Sequence, residues 1–271
     1  MPRASSCAEK ACELCGMPLD VFTRPGRRTA GPRGGPAPAT YRCSSCGLVQ
    51  LRFDTEEERA AWEEPYQGGT YHRERVLAGF KSFKERWRHD LALAQIRIEN
   101  LTRFARGGRL LDVGASNGAL LVAARERGFF PVGIEPDPWA VARAGRLTPG
   151  APMVCATFDE FARDAGRHAF EVVTFIDSLE HMTSPHGVLE AAARLLTPCG
   201  LLVIEMPDAD APGFLEQGAR WKHFKPCEHA FLWGRRHMDV LLPRHGFRLM
   251  DTIMPYPDRR VYYARTRTWN R

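Results

Sequence analysis

Three groups of residues in this chain have the types and spacing for chemistry. Cys12-Glu-Leu-Cys15-Gly and Cys43-Ser-Ser-Cys46-Gly are two C-x-x-C-G knuckles. Each lets two thiolates bind one ion, and the glycine turns the chain so that backbone N–H groups face the sulfurs. Together Cys12, Cys15, Cys43 and Cys46 form a closed S₄ set with no open position, which indicates structural rather than catalytic zinc. Cys7, Cys155, Cys199 and Cys227 lack such partner spacing. The second group is a glycine loop, Leu110-Leu-Asp-Val-Gly-Ala-Ser-Asn-Gly118, with Val132-Gly-Ile-Glu-Pro136 beyond it. Gly114 lets the backbone turn sharply and approach a ligand, because no Cβ intrudes. Asp112 can accept from an amino group or brace the loop, and Glu135 can accept both hydroxyls of a ribose. The third group is His181 with Glu228 and His229, imidazoles of near-neutral pKa suited to taking up a proton.

These groups need a scaffold, and the hydrophobic pattern supplies one. From residue 109 short apolar runs alternate with helical stretches. Strands are expected over 109–113, 131–134, 153–155, 172–176 and 200–205. Helices are expected over 118–127, 138–145, 159–163 and 185–196. Such alternation calls for a parallel sheet with helices on both faces. A helix over 235–245 and two strands over 247–253 and 260–267 follow. Apolar residues at helical spacing predict one or two amphipathic helices over 75–106. Residues 1–50 read as a metal-organised unit whose segment over 24–39, rich in Pro, Gly and Arg, is expected to be a flexible loop. The division is therefore a zinc-binding N-terminal unit over 1–65 and an α/β domain over 66–271.

The loop from Asp112 to Gly118, with Ser116 where glycine is common, resembles motif I of class I S-adenosylmethionine-dependent methyltransferases. Glu135 resembles their ribose-binding acid. A dinucleotide fingerprint would instead read G-x-G-x-x-G. The resemblance implies a Rossmann-like, seven-stranded, doubly wound sheet. It also implies that Thr157 and Phe158 border the adenine, and that Asp177 and Ser178, in Phe175-Ile-Asp-Ser-Leu-Glu-His181, border the methionyl part. Tyr71 resembles an aromatic that caps the cofactor in relatives. S-adenosylmethionine is already electrophilic, so the protein mainly aligns the acceptor with the methyl group, and a base is needed when the acceptor must lose a proton. Glu228-His229 resembles a segment of zinc-containing deoxysugar C-methyltransferases in which the histidine is that base; His181 is the second candidate. Those enzymes also carry a further C-terminal domain with no counterpart in these 271 residues.

Composition narrows the partners. The 44% hydrophobic content suits a globular protein. No apolar run reaches the roughly 20 residues that span a bilayer, and no secretory signal opens the chain, so a cytoplasmic protein is expected. The net charge of +6 gathers at Arg24, Arg27, Arg28 and Arg33 and at Arg259, Arg260, Arg265 and Arg267. These read first as solvated surface and second as phosphate contacts. A small-molecule acceptor, at carbon or oxygen of a sugar or secondary metabolite, is the favoured expectation. Base methylation of rRNA or tRNA is the alternative, disfavoured because no basic stripe interleaved with aromatics stands out. A non-catalytic cofactor-binding or interaction protein is the third reading. The sequence leaves the oligomeric state open.

Overall fold

The computed structural model describes residues 11–24, 38–67 and 79–266. The expected loop over 24–39 lies almost wholly outside these residues, as does Tyr71. The cysteine unit holds three short strands, β1 (Leu19–Thr23), β2 (Thr40–Cys43) and β3 (Val49–Leu51). Two helices follow. α1 (Glu56–Gln67) is acidic in its first turn, and α2 (Phe83–Leu101) starts where the Ser82 side chain accepts from the Glu85 N–H. Ala94, Ile98 and Leu101 form the buried stripe of α2.

The sheet that the alternation calls for is present. Its strands are β4 (Gly108–Val113), β5 (Phe129–Glu135), β6 (Met153–Cys155), β7 (Phe170–Ile176) and β8 (Leu196–Pro207). Between them run α3 (Ala119–Glu126), α4 (Pro138–Ala144), α5 (Phe158–Asp164) and α6 (Pro185–Leu195). Caps explain several boundaries. Asp137 accepts from the Trp139 and Ala140 N–H groups, with Pro138 opening α4, and Thr157 forms a reciprocal capping box with Glu160. β8 starts earlier than the apolar run suggests because Leu196 already pairs with Phe170.

After β8 come α7 (Pro212–Gln217), β9 (Phe231–Leu232), α8 (Arg235–Arg244), β10 (Phe247–Tyr256) and β11 (Arg259–Thr266). The large sheet has the order β10-β11-β8-β7-β4-β5-β6, mostly parallel, with β11 antiparallel to both neighbours. The doubly wound, seven-stranded fold expected from the sequence is therefore observed. Strand order reverses between β4 and β7, and in such sheets ligands bind outside the carboxyl ends at that point.

β9 leaves the large sheet altogether. It pairs with β3, so the second sheet reads β1-β2-β3-β9. Cys12, Leu14, Cys43, Leu48 and Leu51 pack in the same core cluster as Leu111, Phe175 and Trp233. The core beneath the cysteines is thus continuous with the core of the large sheet. Among the described residues no helix is long and apolar enough to cross a membrane.

Candidate active site

A cleft of about 820 Å³ opens at the carboxyl ends of β4, β5 and β7. That is within the roughly 300–1,000 Å³ usual for small-molecule sites. Asp112, Gly114, Ser116, Glu135, Thr157, Phe158, Asp177, Ser178, His181, Glu228 and His229 all line it. Gly118 does not. It caps α3 at φ +78°, and a Cβ there would meet Thr148 Cγ2 at 2.5 Å, so its work is packing.

The floor of the cleft is built by the loop after β4. Gly114 has φ +78°, and an added Cβ would come within 2.9 Å of the Ser178 Cβ. Glycine here therefore lets two loop ends close on each other, besides clearing space for a ligand. Glu135 is buried; its carboxylate accepts from the Ser116 N–H at 2.9 Å and the Asp137 N–H at 3.2 Å. Asp112 accepts from the Thr174 hydroxyl at 2.6 Å. Burial raises its carboxyl to about 6, against the Thr174 bond and the Arg97 charge. Thr157 is occupied as a helix cap, and Phe158 stands edge-on to Phe175 in the core with only its rim at the cleft. The Ser178 hydroxyl is buried without a hydrogen-bond partner among the described residues.

A chain of charges closes the cleft beside β8. Arg97 of α2 grips Glu205 with two hydrogen bonds of 2.7 and 2.6 Å. Arg259 joins Glu205 at 3.2 Å and also pairs with Asp177, whose backbone is left-handed at φ +52°. Desolvation by the cleft walls pushes the half-exposed Asp177 up, but the charge and hydrogen bond of Arg259 outweigh it and hold the carboxyl below its usual range. The described arginines of the second cluster are thus committed to contacts within the molecule. Arg260 pairs with Asp208 at 2.7 Å, and Arg265 donates to the carbonyls of Cys199 and Phe104. Arg267 lies outside the described residues.

The opposite wall holds the histidines. A 3₁₀ turn over Leu179–His181 follows β7, and the turn before β9 carries Glu228 and His229. The two segments are tied together, since the Ala230 N–H donates to the Glu180 carbonyl at 2.7 Å. His181 Nδ1 lies 2.7 Å from the Glu228 carbonyl, which can only accept, so Nδ1 carries the proton and Nε2 is the basic nitrogen. The two imidazoles meet edge to face, 4.9 Å between centroids. His229 Nδ1 is buried without a hydrogen-bond partner among the described residues. Burial brings His181 down to about 4, and burial with the neighbouring His181 and Lys225 charges holds His229 well below its ordinary value. Both rings are therefore neutral. Glu228 acts here through its carbonyl, while its carboxylate faces Lys225 at 3.5 Å.

Sequence reasoning passed over Glu180. Its two carboxyl oxygens are buried and have no hydrogen-bond partner among the described residues, and burial raises it to about 8. Ligand-capable atoms of Glu180, His181 and His229 lie within 4.8 Å of one another. His223, read as an ordinary histidine, also lines the cleft and packs edge-on to Trp221. A buried acid directly before a histidine was the available signal for Glu180; His223 offered none.

The four cysteines converge away from the cleft. Cys12 Sγ and Cys46 Sγ are 3.7 Å apart, and Cys15 Sγ and Cys43 Sγ 3.4 Å. These separations exceed a disulfide bond and approach the edge of about 3.8 Å of a tetrahedron with metal–sulfur bonds of about 2.3 Å. The N–H groups of Ser45 and Cys46 point at Cys43 Sγ, each at 3.4 Å. Burial pushes that thiol up, but these donors outweigh it and bring it to about 7, favouring the thiolate. The cluster is compatible with zinc.

The fold is a doubly wound sheet with a cleft at the carboxyl ends of its strands. Residues 85–252 match the family described as "Methyltransferase domain", and the chain belongs to that family. It is similar to the ubiquinone biosynthesis O-methyltransferases of Marinobacter nauticus (29% identical over 154 residues, 51% of this chain and 64% of that protein) and Idiomarina loihiensis (35% over 162 residues, 57% and 64%). The matches thus span less than two thirds of these relatives' length. In structure it resembles the Burkholderia thailandensis 1,6-didemethyltoxoflavin-N1-methyltransferase, solved with its substrate and S-adenosylhomocysteine (TM-score 0.56, 18% identity, 81% of this chain and 96% of that one). The [4+2]-cyclase SpnF shares the fold too (TM-score 0.53, 18% identity, 78% and 94%). Fold alone therefore does not select the reaction.

Proposed function

We propose that the protein transfers the methyl group of S-adenosylmethionine to carbon or oxygen of a small molecule. The carrying observation is one cleft that joins a buried, braced Glu135 to the unpartnered Nδ1 of His229. In this reading Glu135 accepts from the ribose hydroxyls, Thr157 and Phe158 border the adenine, and Asp112, Gly114, Ser116, Asp177 and Ser178 surround the methionyl part. Gly118 contributes by fixing the start of α3. Tyr71 remains a proposed cap.

S-adenosylmethionine brings the electrophilic methyl group, so the chain's own work is alignment and proton removal. A neutral His229 can take the acceptor's proton at Nδ1. Glu180, with its carboxyl raised to about 8 and so mostly protonated at neutral pH, stands beside both imidazoles. His181, with its Nδ1–H committed to Glu228, holds its ring in one orientation beside the base or binds the acceptor. Residues 1–65 form the structural unit, with zinc held by Cys12, Cys15, Cys43 and Cys46. The relatives' names favour an oxygen acceptor and a small molecule over RNA. The test is label transfer from methyl-labelled S-adenosylmethionine to phenolic compounds, nucleotide-linked sugars and bulk RNA offered in parallel. Label in a small molecule is expected; label confined to RNA would overturn the proposal.

A further inference from the structure

We propose that Gln50 is a positioning residue that carries the order of the four-cysteine knuckles to His229, so that the metal unit braces the proton-accepting wall of the cleft. This rests on the reading of His229 as the base.

Gln50 is the middle residue of β3, a strand buried along its whole length, where it is 1% exposed between Val49 and Leu51. A polar side chain there carries a desolvation penalty unless it makes a specific bond. Gln50 Oε1 accepts from the Glu13 N–H at 3.1 Å, and Glu13 lies between Cys12 and Cys15 in the first knuckle. β3 itself follows the second knuckle and leads away from Cys46. One side chain thus ties the two halves of the cysteine site together.

The other edge of β3 runs to the cleft. Gln50 is in register with Phe231, and the Leu51 N–H donates to the Ala230 carbonyl at 2.8 Å. The next residue back is His229. Gln50 and His229 also line one small pocket of about 10 Å³, so the two side chains border the same space. In close-packed surroundings a displaced strand is passed on rather than absorbed. The two segments carrying the histidines are joined through the Ala230 N–H and Glu180 carbonyl, at the same backbone position that β3 grips. Without a cation the knuckles lose the metal–sulfur bonds that would tie Cys12, Cys15, Cys43 and Cys46 together. Metal occupancy therefore sets how firmly β3, and through it His229, is held.

The test is amide hydrogen exchange on the full-length, metal-loaded protein, its Gln50→Leu variant, and the wild-type protein after chelation. It is read with the imidazole carbon–proton resonance of His229, assigned by its loss in His229→Ala. Gln50→Leu is expected to speed exchange at residues 229–232 by about tenfold or more and to move the His229 resonance. S-adenosylhomocysteine affinity should stay unchanged, because Gln50 does not line the cleft. Chelation should reproduce the same local loosening. Unchanged protection at 229–232, or a loss spread equally over β4 and β5, overturns the proposal. Should Gln50→Leu not fold, the chelation arm alone decides by the same criterion. If His229→Ala keeps full methyl transfer while the exchange pattern appears as expected, the base assignment fails and the mechanical tie stands.

Discussion

Replacing Arg259 by methionine tests the charge chain that shapes the acceptor side of the cleft. Arg259 is 15% exposed and faces Glu205, which is 2% exposed, and Asp177, which is 46% exposed. Breaking a buried pair by removing one partner costs about 3–5 kcal/mol, because it strands the other charge. Two features lower that figure here. Arg97 still grips Glu205 with two bonds, and Asp177 opens to water in the cleft. A loss of about 2–3 kcal/mol is therefore expected, or a fall in melting temperature of roughly 4–12 °C for a domain of this size. The pH dependence has a definite sign. Asp177 has its folded-state pKa lowered, so its contribution is complete above the unfolded value of about 3.9 and disappears as pH falls through the lowered folded value. The gap between wild type and Arg259→Met should hold across neutral pH and close only in acid. Circular dichroism melts from pH 7 downward measure it. A variant melting within 2 °C of wild type at pH 7 (a margin of about half a kcal/mol), or a gap that widens on acidification, would refute the reasoning.

His229→Ala should abolish methyl transfer to a protonated acceptor while leaving S-adenosylhomocysteine affinity intact; retained turnover removes His229 from the mechanism. Glu135→Ala should weaken the cofactor by about 1–3 kcal/mol, roughly 5- to 150-fold, through lost hydrogen bonds to a charged group. Unchanged affinity by calorimetry would contradict the ribose assignment. Gly118→Ala should destabilise the fold by about 2–5 kcal/mol, combining left-handed strain with overpacking against Thr148. A urea midpoint equal to wild type would show that α3 and Thr148 relax freely.

The large sheet was legible because strands buried on both faces are continuous apolar runs, such as Leu201, Leu202, Val203 and Ile204. The small sheet was not legible. β1, β2 and β3 span 5, 4 and 3 residues, and their fourth partner, β9, comes from the far end of the chain. Gln50 reads as a polar interruption until its bond to Glu13 is seen. The arginines at 259, 260 and 265 read as solvated charge, because sequence shows their density and hides the carboxylates and carbonyls that other strands bring to them. In the site, the resemblance pointed to Glu135 and His229, which the structure brings into one cleft, whereas the desolvation of Glu180 and His181 follows from the tertiary tie between two distant segments.

Calorimetric titration of the purified, metal-loaded protein with S-adenosylhomocysteine addresses the donor cleft most directly. Saturable one-to-one binding is expected, with a stabilisation of about 2.7 kcal/mol at a hundredfold excess over Kd. A folded protein that gives neither binding heat nor a melting shift at millimolar ligand would contradict a donor site between β4 and β5.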